Sequence, residues 1–204
     1  MERSDKNGIL DRDFTGCAIR AAEGEGSERR FTLSFSSDEP YERWFGVEIL
    51  SHDGDAVNLE RLNSIGCVLY NHNRDAVIGK INRAWIENGR GMCEIELDDD
   101  EESEKIRRKM ESGTLKGVSV GYTVDEWKEV PAGKKSEDGK YAGPCSIATR
   151  WTPFEVSVVS VPADPTVGVG RSMEDVETAQ NKLYFAKKYL QVNKNRLDAA
   201  NERR

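Results

Sequence analysis

Histidine is the scarcest residue able to do acid–base chemistry in this chain. Its 204 residues contain only two, His52 and His72. The four cysteines, Cys17, Cys67, Cys93 and Cys145, are widely spaced and form no Cys-x-x-Cys pair. Zinc sites draw on clustered Cys and His, so these two shortages argue against a zinc site. Three of the four cysteines fall in strand-like runs, where a thiol packs as a small hydrophobe. The sequence therefore reads as a protein of a reducing cytoplasm, without structural disulfides. No apolar run approaches the roughly 18 residues of a membrane span, and the polar stretch Met1–Leu10 carries no signal-peptide core. Positive charge is in deficit too, with a net charge of −7. Up to Gly170 there are 22 basic and 32 acidic residues, so the main body should repel nucleic acid. From Arg171 onward the balance reverses, with 8 basic against 5 acidic. A solvated helix is the plainer account of that tail, and contact with an acidic partner the sharper one.

What is present is a series of short apolar runs. They span Phe14–Ala21, Arg30–Ser36, Trp44–Leu50, Gly66–His72, Val77–Ile86, Met92–Leu97, Gly117–Trp127 and Phe154–Val161. Gly, Asp and Asn clusters such as Asn88-Gly89-Arg90-Gly91 separate them. Many short strands punctuated in this way predict a mainly β chain built on a barrel or sandwich core. One helix interrupts them: Asp98, Asp99 and Asp100 offer N-caps, Ile106 and Met110 lie four apart, and Gly113 supplies a stop. A weaker helix is expected over Asn58–Ser64, and Pro131–Gly143 reads as an exposed, mobile loop. Past Pro165 the period changes. Leu183, Ala186, Leu190, Asn193 and Leu197 form one stripe of an amphipathic helix. Residues 1–168 are thus expected to form the β domain. Residues 169–204 are expected to form a helical segment that packs on it or serves a homodimer or scaffold contact.

Three segments could carry chemistry. His is the usual general base near neutral pH. His52 sits in the polar, turn-like Ser51-His52-Asp53-Gly54-Asp55 and is expected in solvent. His72 ends an apolar run in which alternation places Val68, Tyr70 and His72 on one face. Taken alone, a structural histidine is the better account of His72. In Gly117-Val118-Ser119-Val120-Gly121-Tyr122, Ser119 and Gly121 share a face, and Gly121 removes a side chain where a substrate would lie. An ordinary strand serine beside a bulge glycine is the bland alternative, and the segment is not a Gly-x-Ser-x-Gly elbow. In the third segment, alternation puts Phe154, Val156 and Val158 on one face and Glu155, Ser157 and Val159 on the other. A carboxylate inside an uncharged strand needs a partner. An Arg partner would make Glu155 structural, whereas a His partner would make it the orienting acid of a triad.

Taken in order, Tyr70-Asn71-His72-Asn73 with Ile78-Gly79-Lys80, then Leu115–Tyr122, then Phe154–Ala163, resemble the caudovirus prohead serine protease family, a relative of the herpesvirus assemblin proteases. The resemblance covers roughly residues 14–167. It implies a closed or partly closed β-barrel surrounded by helices, in the manner of the herpesvirus proteases. It also implies a serine endopeptidase acting inside the assembling prohead, in the host cytoplasm. Its substrates would be the scaffold protein, the scaffold-like segment of the major capsid protein, and the enzyme itself. Residue by residue, Ser119 matches the nucleophile, His72 the base and Glu155 the acid, with Asp75 and Asp164 as rivals for the acid. A loop near the last strand would stabilise the oxyanion, with Arg150 and its neighbours as candidates. One departure is Tyr122, where the family more often has Phe. The competing reading is a non-catalytic capsid-assembly protein that keeps the barrel as a scaffold module. A small-molecule esterase using the same Ser–His pair is a third, although no esterase lid or elbow is evident.

Overall fold

Strand-forming residues dominate two long segments of the chain, with Val118, Val120, Tyr122 and Val124 in one and Ile147, Val156, Val158 and Val159 in the other. The computed structural model describes residues 10–15, 20–21, 28–43 and 45–160. In chain order these form β1 (Leu10–Thr15), β2 (Arg20–Ala21), β3 (Arg30–Ser37), β4 (Tyr41–Arg43), β5 (Gly46–Leu50), α1 (Glu60–Ile65), β6 (Cys67–Tyr70), β7 (Asn73–Glu87), β8 (Arg90–Leu97), α2 (Glu101–Glu111), β9 (Gly117–Val130) and β10 (Cys145–Val159). The run expected over Phe14–Ala21 is thus two strands. The run expected from Phe154 is the second half of the longer β10.

The ten strands make one mixed sheet; eight run in the order β1-β9-β10-β6-β7-β8-β3-β2, and off this path β5 pairs with β10 and β4 with β5. β10 organises it. Along one edge it pairs antiparallel with β9 over its whole length. Along the other it pairs parallel with β5 at Ser146–Ala148 and parallel with β6 at Val156–Val158. Pro153, which has no N–H to give a ladder, falls in the interval between those two parallel partners and next to a register shift. Gly79 on β7 allows β8 to approach closely, since a Cβ there would stand 2.4 Å from the carbonyl oxygen of Glu96.

The expected barrel is not formed. Closure requires a ladder between the two terminal strands. Here the ends are β1 and the two-residue β2, which do not pair with each other, so the sheet is open. The helices among the described residues are α1, of six residues, and α2, of eleven, which cannot surround a barrel. The fold is mixed α+β. The amphipathic helix expected over 183–197 and the boundary at 168/169 lie outside the described residues.

Local sequence accounts for the helices. Asp100 caps α2 by accepting from the amides of Glu102 and Ser103, Ile106 and Met110 are buried, and Gly113 adopts φ +71 just past the end. Asn58 accepts from the amide of Glu60 at the start of α1. One hydrophobic core gathers Phe31, Leu33 and Phe35 of β3, Leu62 of α1, Ile95 of β8, Val118, Val120 and Tyr122 of β9, and Val156 and Val158 of β10.

Two polar groups are buried in it. The first centres on Glu48, which is fully buried. It accepts from the Tyr122 hydroxyl at 2.6 Å and faces Arg12 at 3.6 Å and Arg43 at 3.4 Å. Arg43 also donates to the Tyr122 oxygen at 2.7 Å. Burial and the Glu48 carboxylate push the Tyr122 hydroxyl above the ordinary phenol range, which keeps it a donor. The second is His52, expected in solvent but buried against Trp151 in an edge-on contact at 5.5 Å. Its Nδ1 donates to the Leu50 carbonyl at 3.0 Å and its Nε2 accepts from Ser36 Oγ at 2.7 Å. Desolvation lowers its pKa from 6.5 to about 4, partly opposed by Asp38.

Two outcomes follow from these burials. Tyr122→Phe removes a donor from a buried carboxylate and should lower unfolding stability by about 2 kcal/mol in urea titrations. The unfolded chain binds the His52 proton more tightly than the folded one, so stability should fall as pH drops from about 6.5 to about 4. His52 should contribute up to ~3 kcal/mol of that fall. Denaturant titrations across this window should show a steeper loss in the wild type than in His52→Gln.

Candidate active site

The site forms where the β6–β7 turn, β9 and β10 meet. β6 ends at Tyr70, which pairs with Asn73, leaving Asn71 and His72 as a two-residue hairpin loop. Both have left-handed backbone, φ +52 and +57, the combination that two-residue hairpins with the type I′ twist demand. Strand alternation therefore does not orient His72, contrary to expectation; the turn does. Asn71 is well suited to this backbone, and His tolerates it better than most residues. Further bonds hold the turn to β10: the Asn71 amide donates to Val158 O at 3.0 Å, and Asn71 Oδ1 accepts from the Ser160 amide at 2.9 Å and from its hydroxyl at 3.2 Å.

Ser119 lies on β9, opposite Asp13 of β1 on one side and Ser157 of β10 on the other. Glu155 sits on β10 opposite Gly121, just after a register shift that begins at Pro153. That bulge re-aims the strand. It also overturns one expected face. Val156 and Val158 enter the core, whereas the Phe154 ring approaches the Gly121 side of the sheet and stacks with the Arg61 guanidinium at 5.8 Å.

The turn and the two strands bring together side chains 47 and 83 residues apart in sequence. His72 Nδ1 lies 2.6 Å from Glu155 Oε1, and His72 Nε2 lies 2.6 Å from Ser119 Oγ. A carboxylate only accepts, so Nδ1 carries the imidazole proton and Nε2 accepts from the serine hydroxyl. A third contact fixes the acid, since Ser157 Oγ donates to Glu155 Oε2 at 2.8 Å. The His72 backbone amide donates to that same Ser157 oxygen at 3.1 Å. Ser119 and Ser157 are fully buried and Glu155 nearly so, while the His72 side chain is 25% exposed. The imidazole is therefore the open edge of the cluster. This arrangement can pass a proton from a serine hydroxyl to an imidazole whose developing charge a carboxylate stabilises.

The rivals for the acid position stand elsewhere. Asp75 is exposed at the start of β7, with its amide bonded to Asn73 Oδ1. Asp164 lies outside the described residues. Arg150, expected near the oxyanion, is exposed on β10 opposite Glu126. Five residues of strand separate it from Glu155, about 15 Å. At Ser119 β9 has ladder partners on both sides, which engages its backbone in the sheet at that residue. Among the described residues no group of three His, Cys, Asp or Glu side chains could hold a metal ion.

Sequence reasoning gave no role to Ser157 or Asn71. The available signals were the i, i+2 spacing of Ser157 from Glu155 and the Asn-His dipeptide between two apolar runs. It also gave Gly121 the wrong occupant. A Cβ there would stand 2.5 Å from Glu155 Oε1 and 2.8 Å from the Phe154 ring. The glycine therefore makes room for the acid, not for a substrate.

A model of the caudovirus prohead serine protease family matches residues 55–182, a span that contains His72, Ser119 and Glu155. The major capsid protein of Halomonas phage phiHAP-1 is 36% identical over 146 residues, which cover 70% of this chain and 23% of that protein. The chain thus spans less than a quarter of the length of the curated relative it matches. No solved structure matches the chain.

Gly121→Ala should displace Glu155 and, through it, the imidazole. The rate at which Ser119 reacts with a fluorophosphonate should fall about 100-fold, the effect typical of an ångström-scale misplacement, while far-UV circular dichroism stays unchanged.

Proposed function

Because the chain belongs to the caudovirus prohead serine protease family, we propose that it is a serine endopeptidase in which Ser119 is the nucleophile, His72 the general base and Glu155 the orienting acid. The observation that carries this reading is the His72 ring bonded at both nitrogens, to a carboxylate on one side and a serine hydroxyl on the other, each at 2.6 Å.

In the first half-reaction His72 Nε2 takes the Ser119 proton as Oγ attacks the scissile carbonyl. Glu155 Oε1 stabilises the resulting imidazolium through Nδ1. The imidazolium then protonates the leaving amine as the carbon–nitrogen bond breaks, which leaves an acyl-enzyme on Ser119. In the second half-reaction His72 deprotonates water, which attacks the ester carbonyl. Return of the proton to Oγ releases the new carboxyl terminus and restores the serine.

The substrates proposed are the phage scaffold protein, the scaffold-like segment of the major capsid protein, and the enzyme's own chain. Family membership supports a role in capsid maturation. The match to a segment of a protein named a major capsid protein supports a setting in which protease and capsid chains are made together. The place of action proposed is the interior of the assembling prohead in the host cytoplasm, and the acidic main body leaves nucleic acid out of the reading.

Co-expression with the phage's scaffold and capsid proteins tests it. Wild type should yield processed fragments and Ser119→Ala none, and a fluorophosphonate should label wild type at Ser119. Identical fragments from both forms would overturn the reading. Loss of assembly when the chain is omitted, with no cleavage by wild type, would replace it with the non-catalytic scaffold role.

A further inference from the structure

Building on the protease reading, we infer that Ser157 is a positioning residue for the reaction, the single hydroxyl that holds the acid and the base in register. A hydroxyl can donate once and accept twice. Ser157 Oγ donates to Glu155 Oε2 at 2.8 Å and accepts from the His72 amide at 3.1 Å. Glu155 has two oxygens, and each has one partner in the site: Oε1 takes the imidazole and Oε2 takes Ser157. A carboxylate pinned at one oxygen only can rotate about its last torsion, which is soft. Pinned at both, it presents Oε1 to Nδ1 in one direction.

The second bond makes this more than a local tie. The backbone of His72 is anchored to the same oxygen atom that orients Glu155. Acid and base, 83 residues apart, thus share one reference point. The strand ladders put that point where it serves the nucleophile too. Ser157 is the register partner of Ser119 across β9–β10 and of Leu69 across β6–β10. Val156 and Val158 have the same two neighbouring strands but turn into the core, so Ser157 is the middle residue of that stretch whose side chain lies beside Glu155 and the hairpin. It is fully buried, so no water competes for either bond. An ordinary strand serine would be satisfied by its own i, i+2 bond to Glu155 and would be indifferent to the hairpin.

The expected kinetic signature is a loss in kcat without a loss in KM, because Ser157 touches no substrate. Cleavage of the scaffold protein by the full chain reads it. Ser157→Ala should lower kcat about 10-fold and leave KM within about twofold, and Ser157→Thr should recover most of the rate. Thr and Val are nearly isosteric and differ at the hydroxyl, so Ser157→Val should behave as Ala does even if Ala weakens the fold. In a double-mutant cycle, Ser157→Ala should cost clearly less once Glu155→Gln is in place, since the part of its effect that runs through the acid is already lost and only the tie to the His72 amide remains. Unchanged kcat in the Ala and Val variants, or losses that multiply fully in the double variant, would overturn this inference alone. A wild type that neither cleaves nor reacts with a fluorophosphonate would overturn the protease reading and this inference with it.

Discussion

The imidazole of His72, bonded at both nitrogens, is the interaction around which the molecule is arranged. Two 2.6 Å bonds demand that a hairpin turn, a strand bearing Ser119 and a strand bearing Glu155 be immediate neighbours. The sheet order meets that demand, with β10 placed between β9 and β6, and β6 leading directly into the turn. β10 can take this place because it is long and offers different partners at its two ends. Its first half pairs with β5 and its second with β6, and β9 runs along its whole opposite edge.

Local structure is bent to serve that geometry. A non-glycine residue with left-handed backbone costs about 1 kcal/mol, and two in succession occur at Asn71 and His72. Hydrogen bonds from the turn to Val158, Ser160 and Ser157 offset the cost. On β10 a bulge at Phe154 breaks the alternation, so that Glu155 faces Gly121 and the phenyl ring leaves the core side. Gly121 then stands where any side chain would strike the carboxylate. Each is a small local penalty at the site, the usual mark of a constellation held by its surroundings rather than by its own preferences.

The opposite face of β9 carries a different polar structure. Val118, Val120 and Tyr122 alternate with Ser119 and Gly121, and Tyr122 reaches the buried Glu48, Arg43 and Arg12 group. Two arginines against one carboxylate in the core are costly to desolvate, and removing one partner leaves the others uncompensated. The tyrosine hydroxyl is thus tied to charges that this chain supplies from β1, β4 and β5. The strand that carries Ser119 is anchored from behind by those three elements.

Much of this was present in the linear sequence, and the boundary is physical. Periodicity and turn chemistry depend on near neighbours. They marked most of the strands and the helix ending at Gly113, and left His72, Ser119 and Glu155 with structural and catalytic accounts both open. Segment order and motif content pointed to the prohead protease family. Tertiary structure alone decided the rest. Whether a sheet closes depends on which strands end up at its edges, and a two-residue β2 leaves this one open where a barrel was expected. Whether a histidine is exposed depends on what packs over it, and His52, in a polar turn, is buried against Trp151 and Ser36. Alternation cannot foresee a bulge, so Phe154 was assigned to the wrong face, nor can it see a left-handed turn, so the orientation of His72 was credited to a strand. The approach of Ser119, His72 and Glu155 is a long-range fact of strand order. No local rule reaches across 83 residues to set two atoms 2.6 Å apart.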